Sequence, residues 1–149
     1  ITYQTCFINL FLNNFQMETI KEFLENFKGR MNYDMEQLMV RNLPYCISHP
    51  TFAKLPISSL CRIFEQFKDT NADLDQLELI NFCFRCLDAQ GIDASIVFVD
   101  IKVSKYEEYF LEKLMENESK FDFAFLKPCH IKYLFDQNKE LKQLLSKSS

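Results

Sequence analysis

Apolar residues recur along this chain at helical spacing. Ile20, Phe23, Leu24 and Phe27 fall at i, i+3, i+4 and i+7, with Glu18, Lys21, Glu22 and Glu25 mainly on the other face. That pattern predicts an amphipathic helix with Gly29 as its C-cap. Asp34 reads as the N-cap of a second helix holding Met35, Leu38 and Met39, which Pro44 breaks or restarts. Tyr45, Cys46 and Ile47 make a short turn before His49 and Pro50. Pro56 takes the first position of a helix whose face is Leu60, Ile63, Phe64 and Phe67. After a polar loop over Lys68 to Asp75, Leu77, Ile80, Phe84 and Leu87 form the next face, ending near Gly91.

Two apolar runs do not declare a period. Thr5 to Leu12 (TCFINLFL) is β-branched, aromatic and aliphatic, and reads as a candidate N-terminal β-strand, with Asn13 and Asn14 as punctuation after it. Ala94 to Ile101 (ASIVFVDI) is ambiguous between strand and buried helix. It is read as a short helix because Asp93 is a fair N-cap and helices surround it. Ser104 and Glu107 form a capping box that opens a helix to about Asn117, with Tyr106, Tyr109, Phe110 and Leu114 on its face. Phe121 to Leu126 is a compact aromatic segment. Pro128 starts a short helix with Ile131, Leu134 and Phe135, and Leu141, Leu144 and Leu145 mark a last one before a frayed end or linker at 147–149. The expected fold is all-α, an array of six to eight short-to-medium helices with one N-terminal strand as the candidate exception.

The 149 residues suit one domain, 1–149. Hydrophobic residues at 48% and charged residues at 26% exclude a disordered chain. Two glycines and four prolines argue against collagen, glycine-rich phosphate loops and turn-rich sandwiches or barrels. The net charge is −4, and 1–75 and 76–149 each carry −2, so no basic face points to nucleic acid. Fully apolar runs, Ile96 to Val99 among them, reach only four residues and are too short to span a bilayer. A chain that starts at Ile1 reads as a piece of a longer polypeptide. A core this large needs no disulfide framework, so Cys6, Cys46, Cys61, Cys83, Cys86 and Cys129 are expected as reduced thiols in a cytoplasmic protein.

Candidate chemistry is sparse. Asp69 to Asp75 (DTNADLD) places oxygen side chains at positions 1, 3, 5 and 7 of a calcium loop. Leu74 stands where the sharp turn needs glycine, and Ile80 where a bidentate Glu belongs, so the expectation is a capped, solvated loop. Cys83 and Cys86 form a C-x-x-C, for which zinc would need two more ligands, with Cys129 and His130 as the candidate pair. A redox C-x-x-C belongs at a helix start after a strand, whereas this one lies inside a helical pattern, and core packing of at least one thiol is favoured. Cys129 with His49 or His130 has no small-residue oxyanion turn beside it. Asn117-Glu118-Ser119 is a glycosylation sequon by pattern. Sixteen Phe and six Tyr at helical spacing are expected to pack helices together rather than to line a ligand cavity.

The order of these pieces carries a resemblance. Phe7 to Gly29 (FINLFLNNFQMETIKEFLENFKG) resembles the closing strand and helix of a BTB-like domain. The stretch around Ile47 to Phe67, which opens ISHPTFAKLPISSLCRIF, looks like the start of a BACK-type helical domain. There a short helix, an "sxxFxxLP" turn and an amphipathic helix follow one another. GIDASIVFVDI, the helix from Ser104 and KFDFAFLK are similar to the segment that precedes ankyrin repeats in divergent protist ankyrin-repeat proteins. The chain departs from that pattern in its truncated BTB part (1–30) and in a short hinge between Tyr33 and Cys46, ahead of BACK-like helices over 31–146. The resemblance implies a non-catalytic adaptor or scaffold with protein partners, a homo-oligomer among them, and no catalytic, cofactor-binding or metal residue carries over. The alternative is a thiol- or zinc-dependent enzyme or sensor using Cys83, Cys86, Cys129 and His130. A third is a calcium-responsive helical protein built on Asp69 to Asp75.

Overall fold

The computed structural model describes residues 2–99, 101–102, 105–126 and 130–148. Within these, the side chains of 2–11, 13, 125–126, 130–132, 134 and 148 are not described. The described residues form seven α-helices joined by turns of 3-10 helix, and none is in a strand. The chain divides into two compact units, Ile1–Asp75 and Gln76–Ser149. No helix among the described residues is long and apolar enough to cross a membrane.

In the first unit, α1 (Thr2–Glu25) runs straight through the segment expected as a strand. The correction has a physical reason. A strand must share its N–H and C=O groups with a neighbouring ladder, whereas a helix satisfies them within its own segment. No described strand exists to pair with, and the apolar run is continuous with the amphipathic pattern behind it. Asn13 and Asn14 cost a helix interior only a few tenths of a kcal/mol each, at most about 0.7. α1 also stops four residues before Gly29. The Asn26 side chain donates to the Glu22 carbonyl at 2.9 Å, beside the Asn26 N–H at 3.1 Å, and closes the last turn. Gly29 instead serves the following turn, at φ +89°, a conformation that favours glycine.

Asn32, not Asp34, caps α2 (Tyr33–Arg41), its side-chain oxygen accepting the Met35 N–H at 2.7 Å. Asp34 sits in the first turn, where its charge favours the helix N-terminus. Pro44 restarts the helix as α3 (Leu43–Ser48), so Tyr45, Cys46 and Ile47 are helical rather than a bare turn. Asn42 joins the two, donating to the Leu38 carbonyl at 2.9 Å and to Gln16 of α1 at 3.1 Å. A 3-10 turn (Pro50–Lys54) leads to α4 (Ile57–Phe67), with Pro56 as N-cap. On α4, Leu60, Ile63 and Phe67 are buried as the spacing required, and Phe64 is half-buried. They pack with Ile20 and Leu24 of α1, Met39 of α2, Leu43 and Cys46 of α3, and Phe52 in one apolar core.

One charged group enters that core. Glu36 of α2 is 4% exposed, and Arg62 of α4 grips it from the half-exposed side. The Arg62 guanidinium donates to Glu36 Oε1 at 2.7 Å and, through Nε, to Oε2 at 3.2 Å, and also donates to the Ser59 hydroxyl at 3.1 Å. The carboxylate holds the Arg62 pKa above its ordinary value through these hydrogen bonds and through charge. Gln37 and Gln66 join the same two helices by a side-chain hydrogen bond. Removing Arg62 strands the buried Glu36 carboxylate, whereas replacing both members of such a pair by apolar residues is often neutral. The double variant Glu36→Met/Arg62→Met is therefore expected to melt at a higher temperature than Arg62→Met alone. Circular-dichroism melts in which the double variant melts lowest would contradict this.

In the second unit, α5 (Gln76–Gln90) is buried on most sides, with Ile80, Phe82, Cys83, Phe84, Cys86 and Leu87 all inside. Gly91, at φ +80°, ends it as its position suggested. The ambiguous run after it is a 3-10 helix (Gly91–Phe98), with Asp93 in its first turn rather than at its cap. α6 (Glu107–Glu116) begins two residues later than a Ser104 capping box would have it, with Tyr106 at the N-cap. Ser104 itself lies outside the described residues. Short 3-10 turns (Glu118–Lys120 and Phe123–Leu126) lead to a single helix, α7 (His130–Ser148), where two helices were expected. Nothing between Phe135 and Leu141 is a helix breaker, so the two apolar groups share one helix. Pro128, expected to start it, lies outside the described residues.

The unit is pinned by phenylalanine. Phe98 meets Phe84 edge-on, with ring centroids 5.1 Å apart, and Phe121 at 4.9 Å. Phe121 meets Phe123 at 4.9 Å, and Phe123 meets Phe135 of α7 at 4.7 Å. Polar ties accompany the rings. The buried Ser95 hydroxyl accepts the Asp122 N–H at 2.9 Å, and the Tyr109 hydroxyl donates to Asn81 at 2.5 Å.

Candidate functional site

Cys83 and Cys86 lie three residues apart on α5, which places them on adjoining parts of one helix face. Both side chains are fully buried. The Cys83 thiol donates to the Val97 carbonyl at 3.6 Å, tying α5 to the 3-10 segment that follows it. Burial pushes the Cys83 pKa well above its ordinary 9.0, and the neighbouring Cys86 adds to the rise. In the first unit, Cys46 donates to the Met39 carbonyl at 3.9 Å, and burial pushes its pKa up to about 12. The thiolate is the nucleophile and the metal ligand, so these environments hold the sulfur in its inert form and use it as a small apolar group. Cys129 lies outside the described residues, as do the side chains of Cys6 and His130.

His49 has a local task. Its Nδ1 accepts the Thr51 N–H at 3.2 Å and caps the Pro50–Lys54 turn. The Asp69 to Asp75 loop is likewise locally satisfied. The Thr70 hydroxyl donates to the Phe67 carbonyl at 2.7 Å and accepts the Ala72 N–H at 3.4 Å. A calcium loop turns sharply at its sixth position, but Leu74 keeps a negative φ, like every other described non-glycine residue. Among the described residues, no group of three or more His, Cys, Asp or Glu side chains comes together. Asn117 of the sequon caps α6, its side-chain amide donating to the Lys113 carbonyl at 2.8 Å.

What the second unit presents outward is an apolar edge on α7. Leu141, Leu144 and Leu145 are 57%, 65% and 63% exposed. Spacing marks them as a helical face, and all three stay more than half exposed. The other side of α7 carries the buried Phe135, together with Asn138 and Lys139, which meet Met115 of α6 and Glu118. A hydrophobic stripe in sequence reads the same whether it faces a core or solvent, so this edge had no sequence signal of its own. The Glu36–Arg62 pair had none either, because its members stand 26 residues apart. Compared with family models, with curated proteins and with solved structures, the chain finds no match.

Proposed function

We propose that this chain is a non-catalytic protein–protein interaction module of a larger cytoplasmic protein. Its packed helices hold a neighbouring segment or partner at fixed geometry, as the BTB/BACK-like resemblance implies. The observation that carries the reading is the α7 edge. Three leucines more than half exposed on one helix form the kind of apolar feature that marks a contact surface. The thiols favour the same reading, because Cys46, Cys83 and Cys86 are placed as core side chains rather than at an opening.

Native mass spectrometry of the reduced protein tests the reading against the thiol or zinc alternative. The expected species is metal-free, and a chelator leaves the melting temperature unchanged. One zinc per chain would overturn the reading and put Cys83, Cys86, Cys129 and His130 at the centre. The leucines supply a second check. Leu141→Ser with Leu144→Ser is expected to leave stability within about 0.5 kcal/mol of the parent, since exposed side chains contribute little to folding. A large loss would mean that they serve the fold and not a partner.

A further inference from the structure

α7 carries two faces of opposite use. Phe135 is buried in its own unit, and at about 100° per residue Leu144 stands about 180° round the helix from it, with Leu141 about 60° from Leu144. Leu141 and Leu144 stand three residues apart, the a-to-d spacing of a single heptad, and along such a spacing paired helices meet. In that register Glu140 and Lys147, both exposed, occupy successive g positions. They are seven residues apart, too far to pair with each other within one helix.

These positions discriminate between ways of covering the seam. When two copies of α7 pack antiparallel, with Leu141 of one against Leu144 of the other, each g residue lies beside a g residue of the second copy. The offset sets Glu140 of one copy beside Lys147 of the other, and two-fold symmetry repeats the contact. A parallel pair sets g against e, and the e position here is Leu145, which offers Glu140 no charge. We propose that the α7 edge is a self-association surface, on which a second copy of this chain docks antiparallel through Leu141 and Leu144, flanked by two Glu140–Lys147 pairs. This rests on the interaction reading above and names the partner.

The seam has only two leucine layers, so the pairing is weak and transient, below the roughly 1,000 Å² of a stable interface. Sedimentation equilibrium of the 149-residue chain in low salt tests it, from about 10 µM to 1 mM. The expected result is a monomer at the low end and a growing dimer fraction at the high end. Leu144→Glu should lower the association constant at least about tenfold by placing charge in the seam. Glu140→Lys alone and Lys147→Glu alone each set like charges together and should lower it about three- to tenfold. The double variant Glu140→Lys/Lys147→Glu restores both pairs and should return to within about threefold of the parent. An equimolar mixture of the two single reversals should associate more strongly than either alone.

Far-UV circular dichroism confirms that each variant is folded. If Leu144→Glu unfolds, the charge series decides by itself. A parent that stays monomeric at about 1 mM overturns the proposal. So does a dimer indifferent to Leu144→Glu, or single reversals that the double variant fails to rescue. Metal content separates this failure from that of the wider reading. A zinc-free monomer removes the self-pairing and leaves the interaction role, whereas bound zinc removes the role itself.

Discussion

Phe98→Ala is expected to destabilise the second unit by about 3–5 kcal/mol, the range for deleting a fully buried aromatic side chain. Phe98 has no exposed surface and stands where three elements meet. It contacts Phe84 of α5, Phe110 of α6 and Phe121 of the segment leading to α7. Its removal leaves a void that the neighbours cannot close together, because each is held by another ring: Phe84 by Phe110 at 5.8 Å, and Phe121 by Phe123. Edge-to-face pairs add about 0.5–1.5 kcal/mol beyond area burial, so two such contacts place the loss towards the upper end. Phe98→Leu, which keeps most of the volume, should lose markedly less. Urea unfolding of the parent and both variants checks this. Equal losses for Ala and Leu, or a loss under about 1 kcal/mol for Ala, would mean that the ring cluster does not hold the unit together.

The second large effect is alkaline. Burial raises the Cys46 pKa from its ordinary 9.0 to about 12, so the folded chain keeps a proton that the unfolded chain releases. The sign follows from linkage. Stability is unaffected below pH 9, where both states are protonated, and is lost as pH rises from 9 towards 12, where only the folded state holds the proton. The slope is about 1.4 kcal/mol per pH unit, or about 4 kcal/mol over the window. Cys83 adds a loss of the same sign in the second unit. Cys46→Ala removes the first contribution. It starts from a lower stability at pH 7, because a sulfur has left the core, but its stability should fall less steeply above pH 9. Urea midpoints at pH 7, 9, 10 and 11 decide it, and parallel curves for parent and variant would show that the Cys46 thiol titrates normally.

Both effects bear on function. Burial keeps the Cys46 and Cys83 thiols protonated in the folded chain and so keeps these two out of chemistry near neutral pH. In the second unit Phe84, Phe98, Phe110, Phe121 and Phe123 are spent on packing its elements together. The apolar side chains that remain outside, above all on α7, are where binding is to be sought.

The amphipathic helices were legible in sequence because their apolar residues repeat near 3.6. Ile20 and Leu24, Leu60, Ile63 and Phe67, and Ile80, Phe84 and Leu87 are buried as their spacing requires. Helix ends were less legible. Asn32 and Asp34 are both good caps, and only the backbone conformation at Asn32 (φ −129°, ψ 159°) selects between them. The all-α class was also accessible, as was the packing of at least one of Cys83 and Cys86, since a C-x-x-C inside a helical pattern sits among core residues; the structure buries both.

Tertiary structure alone decided the rest. Thr5 to Leu12 has the composition of a strand and shows no clear alternation, so the availability of a ladder partner settles its backbone. Glu36 and Arg62 have ordinary positions in sequence, and they become a pair only because α2 packs on α4. The leucines of α7 have the same spacing as a core face, and they are a surface because the fold turns Phe135 inward and leaves Leu144 on the opposite side. Periodicity reports which residues share a face, since that follows from local backbone geometry. What the face meets depends on residues far away in the chain, and local spacing holds no record of them.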